Sequence, residues 1–233
     1  MDKVGAIARF AVDLAMVFDA IRGADGVDPC CRTAGFPWRR GLPVESLRIA
    51  VLAGERVFRR YNERAFLAWL EKKGFCLSPL ELPKAPYAAM LTMLHAEGAA
   101  AFDELLRGGG LRELAGQQDG DWPNVFRSAR AILAVEYLQA ARLRARLCAE
   151  MSEKMRHCDV LVAPNHSRVL VCTNLTGHPT LVLPIGRAGN GQPTVVGLTG
   201  KLHGEAALLS LAESWQAETD HHRARPNLSD RDP

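Results

Sequence analysis

The sequence predicts an α/β fold, because short β-branched apolar runs alternate with longer stretches of helical periodicity. Two of these runs, Val160–Ala163 and Thr180–Ile185, are bounded by Pro, Gly or Asn, which is typical of buried strands. A strand, a helix and a second strand also follow one another between Leu47 and Leu82, and this order predicts a βαβ unit with parallel strands. A chain of 233 residues is long enough for one such domain with a sizeable core.

Helices and strands in the first part of the chain are separated by glycine and proline. Apolar residues from Ile7 to Ile21 recur at helical spacing and predict an amphipathic helix that ends near Gly23. Residues 25–43 contain three glycines and three prolines and are expected to form a loop. The next elements predicted are a strand at Leu47–Leu52, a helix at Glu55–Lys73 followed by Gly74, and a strand at Phe75–Leu82.

The middle of the chain is predicted to be mainly helical. A helix is expected to begin near Pro86, which suits a first-turn position, and to end near Arg107 before three consecutive glycines. A polar loop over Leu111–Trp122 then leads to the longest helical pattern, Asn124–His157. After the strands at Val160–Ala163 and Thr180–Ile185, the sequence predicts a strand at Thr194–Leu198, a helix at Glu205–Glu218 and a disordered tail over residues 221–233.

A polar stretch, Thr173–Pro179, lies between the two buried apolar runs. Gly177 permits a positive φ, and Pro179 disfavours the helical conformation at His178. We therefore expect an irregular loop here that returns the chain to the sheet. Loops between buried strands are common locations for binding sites in α/β proteins.

The segment Asp159–Pro164, followed by Thr173–Gly186, resembles the C-terminal part of amidase-signature hydrolases. That family has a strand of the pattern D-hydrophobic-hydrophobic-x-x-P, then N-L-[AT]-G-x-P, and an apolar strand that ends in Pro and Gly. Near the start of the chain, Asp2–Arg9 is similar to the family's D-x-x-G-P-x-[AT]-[RS] segment, with Ala6 in place of the usual Pro. The motifs occur in the family's order, and the resemblance covers about residues 2–219.

The resemblance implies a partial amidase-signature fold, with a mixed β-sheet flanked by helices, over residues 1–220. It also implies hydrolysis of a non-peptide carbon–nitrogen amide bond by a Ser–Ser–Lys triad. In the family a buried, neutral lysine is the base, a second serine relays the proton, and backbone amides of a Gly/Ser-rich loop hold the oxyanion. These groups precede the segment matched by Asp2–Arg9, so we expect no catalytic residue in this chain.

The sequence contains no displaced copy of this machinery. None of the eight serines has a glycine within two positions on either side, and Lys3 belongs to the matched N-terminal segment. The histidines are dispersed and form no H-x-x-x-H or H-E-x-x-H pattern, so no metal site is predicted. We also predict no cofactor, and we expect the chain to be inactive by itself.

Substrate contact is the function that this part of the family can retain. By position in the matched motif, Thr173 and Asn174 are the candidate substrate-binding residues, and Gly177 is the glycine that allows the backbone to turn. An alternative is that Asn174 only hydrogen-bonds turn amides, as asparagine often does.

Composition excludes several partners. The net charge is +3, and the basic residues are scattered with few aromatic residues between them, so nucleic-acid binding has no support. No apolar run approaches the roughly 20 residues that span a bilayer, so no membrane association is predicted. Six cysteines without a C-x-x-C pair are expected to be free thiols in a reducing cytoplasm.

Three hypotheses remain open from the sequence. The chain is a piece of a longer amidase, or one half of a split amidase or A-type amidotransferase subunit, or a catalytically inactive module that binds a ligand or a protein. The first two imply a small-molecule amide substrate once an N-terminal half is supplied. They also imply an unpaired sheet edge and an apolar patch, so we expect the isolated chain to self-associate or dissolve poorly.

Overall fold

The computed structural model describes residues 5–28, 31–54, 57–165 and 167–225, which fall into two compact units. The helical unit is Pro83–Met151, and the sheet unit contains the described residues of 5–82 and 152–225. The single domain predicted over residues 1–220 is thus interrupted in sequence by the helical unit.

The helices and strands of the described residues have the following bounds. The helices are α1 (Ala11–Ile21), α2 (Tyr61–Lys72), α3 (Tyr87–Ala101), α4 (Asp103–Arg107), α5 (Trp122–Ala129), α6 (Ala134–Met155), α7 (Arg168–Thr176) and α8 (Glu205–Glu218), with short 3-10 helices at Gly110–Arg112 and His221–Arg223. The strands are β1 (Ile49–Leu52), β2 (Ser78–Leu80), β3 (Val160–Pro164), β4 (Thr180–Arg187) and β5 (Pro193–Gly200).

The sheet unit contains a mixed sheet with the strand order β2-β1-β3-β5-β4. Strand β1 lies between β2 and β3 and is parallel to both, which confirms the predicted βαβ unit. Strand β5 is antiparallel to β3 and to β4. The mixed sheet implied by the family resemblance is therefore present, and β2 and β4 are its two edges within the described residues.

An apolar core covers one side of this sheet. Inward-facing Leu181, Leu183 and Ile185 of β4 alternate with more exposed neighbours, as expected for a strand with one buried face. Helix α8 contributes Leu208 and Trp215 to the same core, together with buried residues of α1 and α2. Because burial of each large apolar side chain stabilises the fold by about 1.5–3 kcal/mol, this layer fixes the position of β4.

The second-last residue of β4, Gly186, lies too close to Asn62 to carry a side chain. Gly186 has φ of 149°, and a Cβ atom there would lie 2.5 Å from the Asn62 side chain. Asn62 Nδ2 donates to the Arg187 carbonyl at 3.0 Å and to Thr194 Oγ1 at 3.2 Å. Gly186 is the last residue of the family's apolar strand motif. At this glycine, Asn62 of α2 packs against the end of β4 and hydrogen-bonds to Arg187 and Thr194.

Several predicted boundaries differ from the structure. The first helix begins at Ala11, so Ile7 and Phe10 precede it, and the predicted strand at residues 75–82 is shortened to β2. Helix α2 begins at Tyr61, where Glu63 Oε2 accepts a hydrogen bond from the backbone N–H of Arg60, and residues 55–56 lie outside the described part. The helix predicted over Asn124–His157 is two helices, α5 and α6, and the one predicted from Pro86 is divided into α3 and α4.

Aromatic packing holds the helical unit together internally. The rings of Phe102 and Phe126 stack at 5.0 Å between centroids, and Trp122 lies 5.4 Å from Phe126. Gly98 permits this approach, because a Cβ atom at that position would lie 3.1 Å from the Phe126 ring. Tyr137 Oη also donates to Glu97 Oε1 at 3.0 Å, which links α6 to α3.

The first residues of the segment predicted to be a disordered tail, 221–233, are ordered. His221–Arg223 form a 3-10 helix, and the His222 side chain is only 6% exposed. Residues 226–233, the rest of the predicted tail, lie outside the described residues. None of the described helices has the length and the apolar character that crossing a lipid bilayer requires.

Candidate functional site

A groove of about 1260 Å³ lies in the sheet unit beside the edge strand β4. One wall is β4 itself, and the other walls come from the chain around Phe10, from α7 and from α8. All three residues predicted to bind substrate, Thr173, Asn174 and Gly177, line this groove. The structure thus brings the candidate residues together on one surface.

The candidate residues lie on a helix, so the prediction of an irregular loop at 173–179 is wrong. Helix α7 covers Arg168–Thr176, and Leu170, Thr173, Asn174 and Gly177 face the groove. Their spacing of three, four and seven residues is that of one helical face. The groove therefore meets a stripe of α7 instead of a loop, and only residues after Thr176 form the turn into β4.

Residues at its two ends define this helix. At the start, Ser167 Oγ accepts a hydrogen bond from the Val169 N–H at 3.2 Å. At the end, Gly177 adopts φ of 86°, and its N–H donates to the Thr173 carbonyl at 2.8 Å. The positive φ predicted for Gly177 is confirmed, although its role is to end a helix.

Thr173 and Asn174 differ in what they offer to a ligand. Thr173 is 2% exposed, and its hydroxyl donates to the Leu170 carbonyl at 3.1 Å. Asn174 is half-buried, and within the described residues no hydrogen bond engages its side-chain amide. The alternative that Asn174 serves turn amides has no support in this geometry, because the residue lies on a helix.

A buried polar chain joins α7 to β4. The Thr176 hydroxyl donates to the Cys172 carbonyl at 3.0 Å, and His178 Nδ1 lies 2.8 Å from the same hydroxyl oxygen. Because that hydroxyl has one hydrogen, His178 Nδ1 is the donor in the second bond. His178 is only 2% exposed, so this contact fixes the direction in which the chain leaves α7. Sequence patterns did not indicate this pair.

Two arginines hold the C-terminal segment beside the groove. Arg9 Nη1 lies 3.4 Å from the carbonyl oxygens of residues 222, 223 and 224, and Arg187 Nη2 donates to the Arg225 carbonyl at 2.6 Å. His222 packs edge-on against Phe10 at 5.1 Å. No described atom pairs with His222 Nδ1, and burial lowers the pKa of this imidazole.

Asp159, the first residue of the family's strand motif, has a structural role at the start of β3. Its carboxylate accepts hydrogen bonds from Arg48 Nε at 3.1 Å and Nη2 at 2.9 Å, and from Lys201 Nζ at 2.7 Å. The Arg48 hydrogen bond, with help from Lys201, holds the pKa of Asp159 well below its usual range. None of these three residues lines the groove.

The described lining of the groove contains several polar groups that can bind a ligand. Its lining contains amide, hydroxyl and imidazole side chains, including Asn165, Asn174, Thr180 and His178, but no serine, lysine or cysteine among the described residues. Likewise, the described part of the chain contains no cluster of three metal-ligating side chains. The arrangement can bind and orient a polar ligand.

In sequence, the chain is similar to subunits of amidotransferases. The chain is 27% identical to the A-type subunit of glutamyl-tRNA(Gln) amidotransferase from Symbiobacterium thermophilum, with 99% of this chain matched to 57% of that protein. It is 26% identical to the protein of the same name from Moorella thermoacetica, with 98% matched to 56%. No protein-family model matches the chain.

Solved structures show the fold. The structure of 6-aminohexanoate cyclic dimer hydrolase superposes with a TM-score of 0.74 at 20% identity, over 95% of this chain and 56% of that one. A peptide amidase in complex with chymostatin gives a TM-score of 0.72 at 21% identity, over 94% and 54%.

The resemblance to the C-terminal part of amidase-signature proteins is confirmed. The chain spans little more than half the length of the curated relatives and solved structures that it matches. Its mixed sheet and helices are an amidase-signature fold, and they correspond to about half of that fold in the longer proteins. Activity, substrate and partners do not follow from the fold alone.

Proposed function

We propose that this chain supplies the substrate-facing wall of an amidase that hydrolyses a non-peptide carbon–nitrogen amide bond. The observation that carries the proposal is the Asn174 amide, which faces the groove and has no hydrogen-bond partner among the described residues. A primary or secondary amide has one donor side and one acceptor side, and the side chain of asparagine matches both. Thr173 and Gly177 place Asn174 on the groove-facing stripe of α7.

The proposal assigns the nucleophile and the base to residues outside the 233-residue sequence. The absence of serine and lysine from the described lining supports this division of labour, because amide hydrolysis needs an activated nucleophile. A longer chain or a separate partner chain supplies the triad. By itself the present chain is then a binding half with no turnover, and its cytoplasmic location stays a prediction.

A role as part of an A-type amidotransferase subunit is the second candidate. The names of the curated relatives favour it, since they are amidotransferase subunits of the A type. In that case the amide bound beside Asn174 belongs to a nitrogen donor, and the ammonia released is passed to an acceptor. The third candidate, a catalytically inactive binding module, requires that no completed assembly hydrolyses any amide.

The proposal can be tested by supplying the N-terminal half of a relative to this chain. The chain is co-expressed with the part of the Symbiobacterium thermophilum protein that precedes the matched region, and ammonia release is measured with L-glutamine and with a set of primary amides. We expect release by the co-purified complex and none by the isolated chain. Preference for L-glutamine identifies the amidotransferase role, and preference for other amides identifies the amidase.

Two results would overturn the proposal. Ammonia release by the isolated, monomeric chain would show that its own residues contain a nucleophile. A folded complex without activity on any amide would favour the inactive binding module. The intact mass of the native protein from its source then separates the two forms of the proposal, since a mass above 25.5 kDa indicates one longer chain and a mass of 25.5 kDa indicates a separate partner.

A further inference from the structure

The groove extends onto the face of the sheet that points away from the apolar core. On β4, Thr180 and Val182 alternate with core residues, and on β5 Gly197 lies between two core residues. In the register of the sheet, Gly197 is opposite Ala163 of β3 on one side and Val182 of β4 on the other. All four residues line the groove, so Gly197 is the middle of a row that faces it.

A glycine at the centre of this row is not explained by the backbone. Glycine in the interior of a strand weakens the strand, because it loses more conformational freedom on folding and has no side chain to pack. The φ angle of Gly197 lies outside the left-handed region. The pairing of β5 with both of its neighbours is also regular at this residue. Neither a turn nor a β-bulge therefore requires a glycine here.

Packing within the protein does not require a glycine at Gly197 either. The three atoms nearest to a Cβ atom built there are the Ala163 carbonyl oxygen at 3.5 Å, Thr180 Cγ2 at 3.7 Å and Asn165 Cα at 3.9 Å. These are ordinary van der Waals distances, so an alanine would fit. By contrast, a Cβ atom on Gly200 of the same strand would lie 3.2 Å from a backbone oxygen.

Close approach of a ligand is the explanation that fits Gly197. A glycine inside a strand often marks a place where a ligand or another backbone comes close to the sheet. Without a Cβ atom in the way, a ligand carbon can reach the Cα atom at about 3.5–4.0 Å. Gly197 is buried among its neighbours although it borders the groove, so the space above its Cα atom is narrow. A thin, flat group fits such a space better than a bulky one.

The side chains around Gly197 indicate the chemistry of this flat group. Val182 is 50% exposed and Leu170 of α7 is 47% exposed, and both present apolar surface to the groove. The Thr180 hydroxyl lies 3.0 Å from that of Thr199, and the Asn165 amide has no hydrogen-bond partner within the described residues. An aromatic ring combines a flat shape with a large apolar surface, and a carboxamide attached to it needs hydrogen-bonding groups nearby.

We propose that the groove binds amides that carry a planar aromatic group, and that this group lies against the backbone of Gly197. Val182 and Leu170 contact the ring, and the side-chain amides of the groove, Asn165 and Asn174, hydrogen-bond to the carboxamide. This inference rests on the proposed function, because it takes the ligand of the groove to be the amide substrate. It goes further by assigning the class of amide and the residue that selects it.

Two amides with rings of the same number of carbon atoms test the inference in the full chain. The ring of benzamide is planar, whereas the ring of cyclohexanecarboxamide is puckered. Titrations followed by NMR should give at least about tenfold tighter binding of benzamide, a ratio within the range that the shape of an apolar pocket can provide. Nuclear Overhauser contacts between the benzamide ring protons and the Gly197 α-protons then locate the ring without any substitution.

Gly197→Ala adds one methyl group where the ring is expected to lie. We expect benzamide to bind this variant at least about tenfold more weakly, because the Cβ atom takes space that the ring needs. Its melting temperature should equal or exceed that of the wild type, since both the φ angle and the Cβ contacts suit alanine. Gly189→Ala, outside the groove lining and with no atom within 4 Å of its Cβ, is the matched control with unchanged affinity.

Equal affinity for the two ring amides would refute the inference, and so would unchanged benzamide binding in a folded Gly197→Ala chain. Weaker association of this variant with the Symbiobacterium segment, without weaker benzamide binding, would show that the glycine accommodates a protein backbone. A completed complex that hydrolyses aliphatic amides while benzamide fails to bind refutes the aromatic site and leaves the proposed function standing. Benzamide bound at Gly197 in a folded complex that hydrolyses no amide refutes the proposed function instead.

Discussion

Arg48 and Asp159 form a hydrogen-bonded ion pair that links the starts of two neighbouring parallel strands, β1 and β3. The Asp159 carboxylate also accepts the Arg48 backbone N–H at 3.0 Å, in addition to the two side-chain hydrogen bonds. Lys201 approaches the same carboxylate from the end of β5. Three strands of the sheet therefore meet at one charged group, and stability at low pH depends on its ionisation.

Asp159→Asn is expected to lower the free energy of unfolding at pH 7 by about 1–2 kcal/mol, because it weakens hydrogen bonds between charged groups that are partly exposed. The folded pKa of Asp159 lies below the unfolded value, so its contribution is present above about pH 4 and is lost as the pH falls further. Urea denaturation between pH 3 and pH 7 measures both effects. Asp220→Asn, at an exposed ion pair with Arg223, is the control and should change stability by less than about 0.5 kcal/mol.

Gly177→Ala is expected to destabilise the chain by about 1–2 kcal/mol, because φ of 86° is unfavourable for any residue with a Cβ atom. Space is not the cause, since the added Cβ would lie 3.7 Å from Leu202, an ordinary contact. Gly189→Ala is the matched control, as Gly189 has no positive φ and no atom within 4 Å of a Cβ. Equal melting temperatures for the two variants would contradict the assignment of Gly177 as the end of α7.

His222 gives the fold a dependence on pH near neutrality. Its folded pKa is lowered chiefly by burial, so the stability from neutral His222 is present above about pH 6.5 and decreases as the pH falls. Nearby Arg9 and Arg223 also disfavour its protonation, whereas Asp220 favours it. We expect the free energy of unfolding to decrease between pH 7.5 and pH 5.5.

His222→Phe should remove this part of the pH dependence and raise stability at pH 7 by about 1 kcal/mol, since it replaces an unpaired buried nitrogen and keeps the ring contact with Phe10. Denaturation curves at four pH values test this, and His221→Phe is the neighbouring control. A wild-type slope that persists in His222→Phe would show that another group titrates.

Asn174→Ala, made in the completed complex, is expected to lower kcat/KM for amides about tenfold, which corresponds to one lost hydrogen bond to the ligand. The isolated Asn174→Ala chain should keep its stability within about 0.5 kcal/mol, because no described residue bonds to this amide. Asn190→Ala, at a turn outside the groove lining, serves as the control with unchanged kcat/KM. Unchanged kinetics in Asn174→Ala would remove Asn174 from the site.

Short-range sequence patterns were sufficient to predict part of this fold. Helix α8 has the bounds that its periodicity and the preceding Gly204 predict, and the strand–helix–strand order predicted the parallel β1–β2 pair. Helix α7 was missed because Gly177 and Pro179 were interpreted as signs of an irregular loop between two strands. Ser167 and Gly177 are nevertheless the residues expected at the start and after the end of a helix.

Contacts between distant parts of the chain could not be predicted in this way. Arg9 reaches carbonyl groups more than 200 residues further along the chain, and Asn62 fits beneath Gly186. A single sequence shows that a glycine or an arginine is present at a position, but it does not show which distant residue contacts it. The three candidate residues were placed in one groove because they are close in sequence, whereas the groove walls around Phe10 and α8 come from remote segments.

The interruption of the sheet unit by residues 83–151 also determines the order of events on the ribosome. Strand β2 is made soon after β1, but the other neighbour of β1, strand β3, follows only after the roughly 70 residues of the helical unit have been made. At about 5–20 residues per second, this takes about 4–14 s. During that time the apolar strand Ile49–Leu52 keeps one edge unpaired, and we expect holdase chaperones to bind the nascent chain.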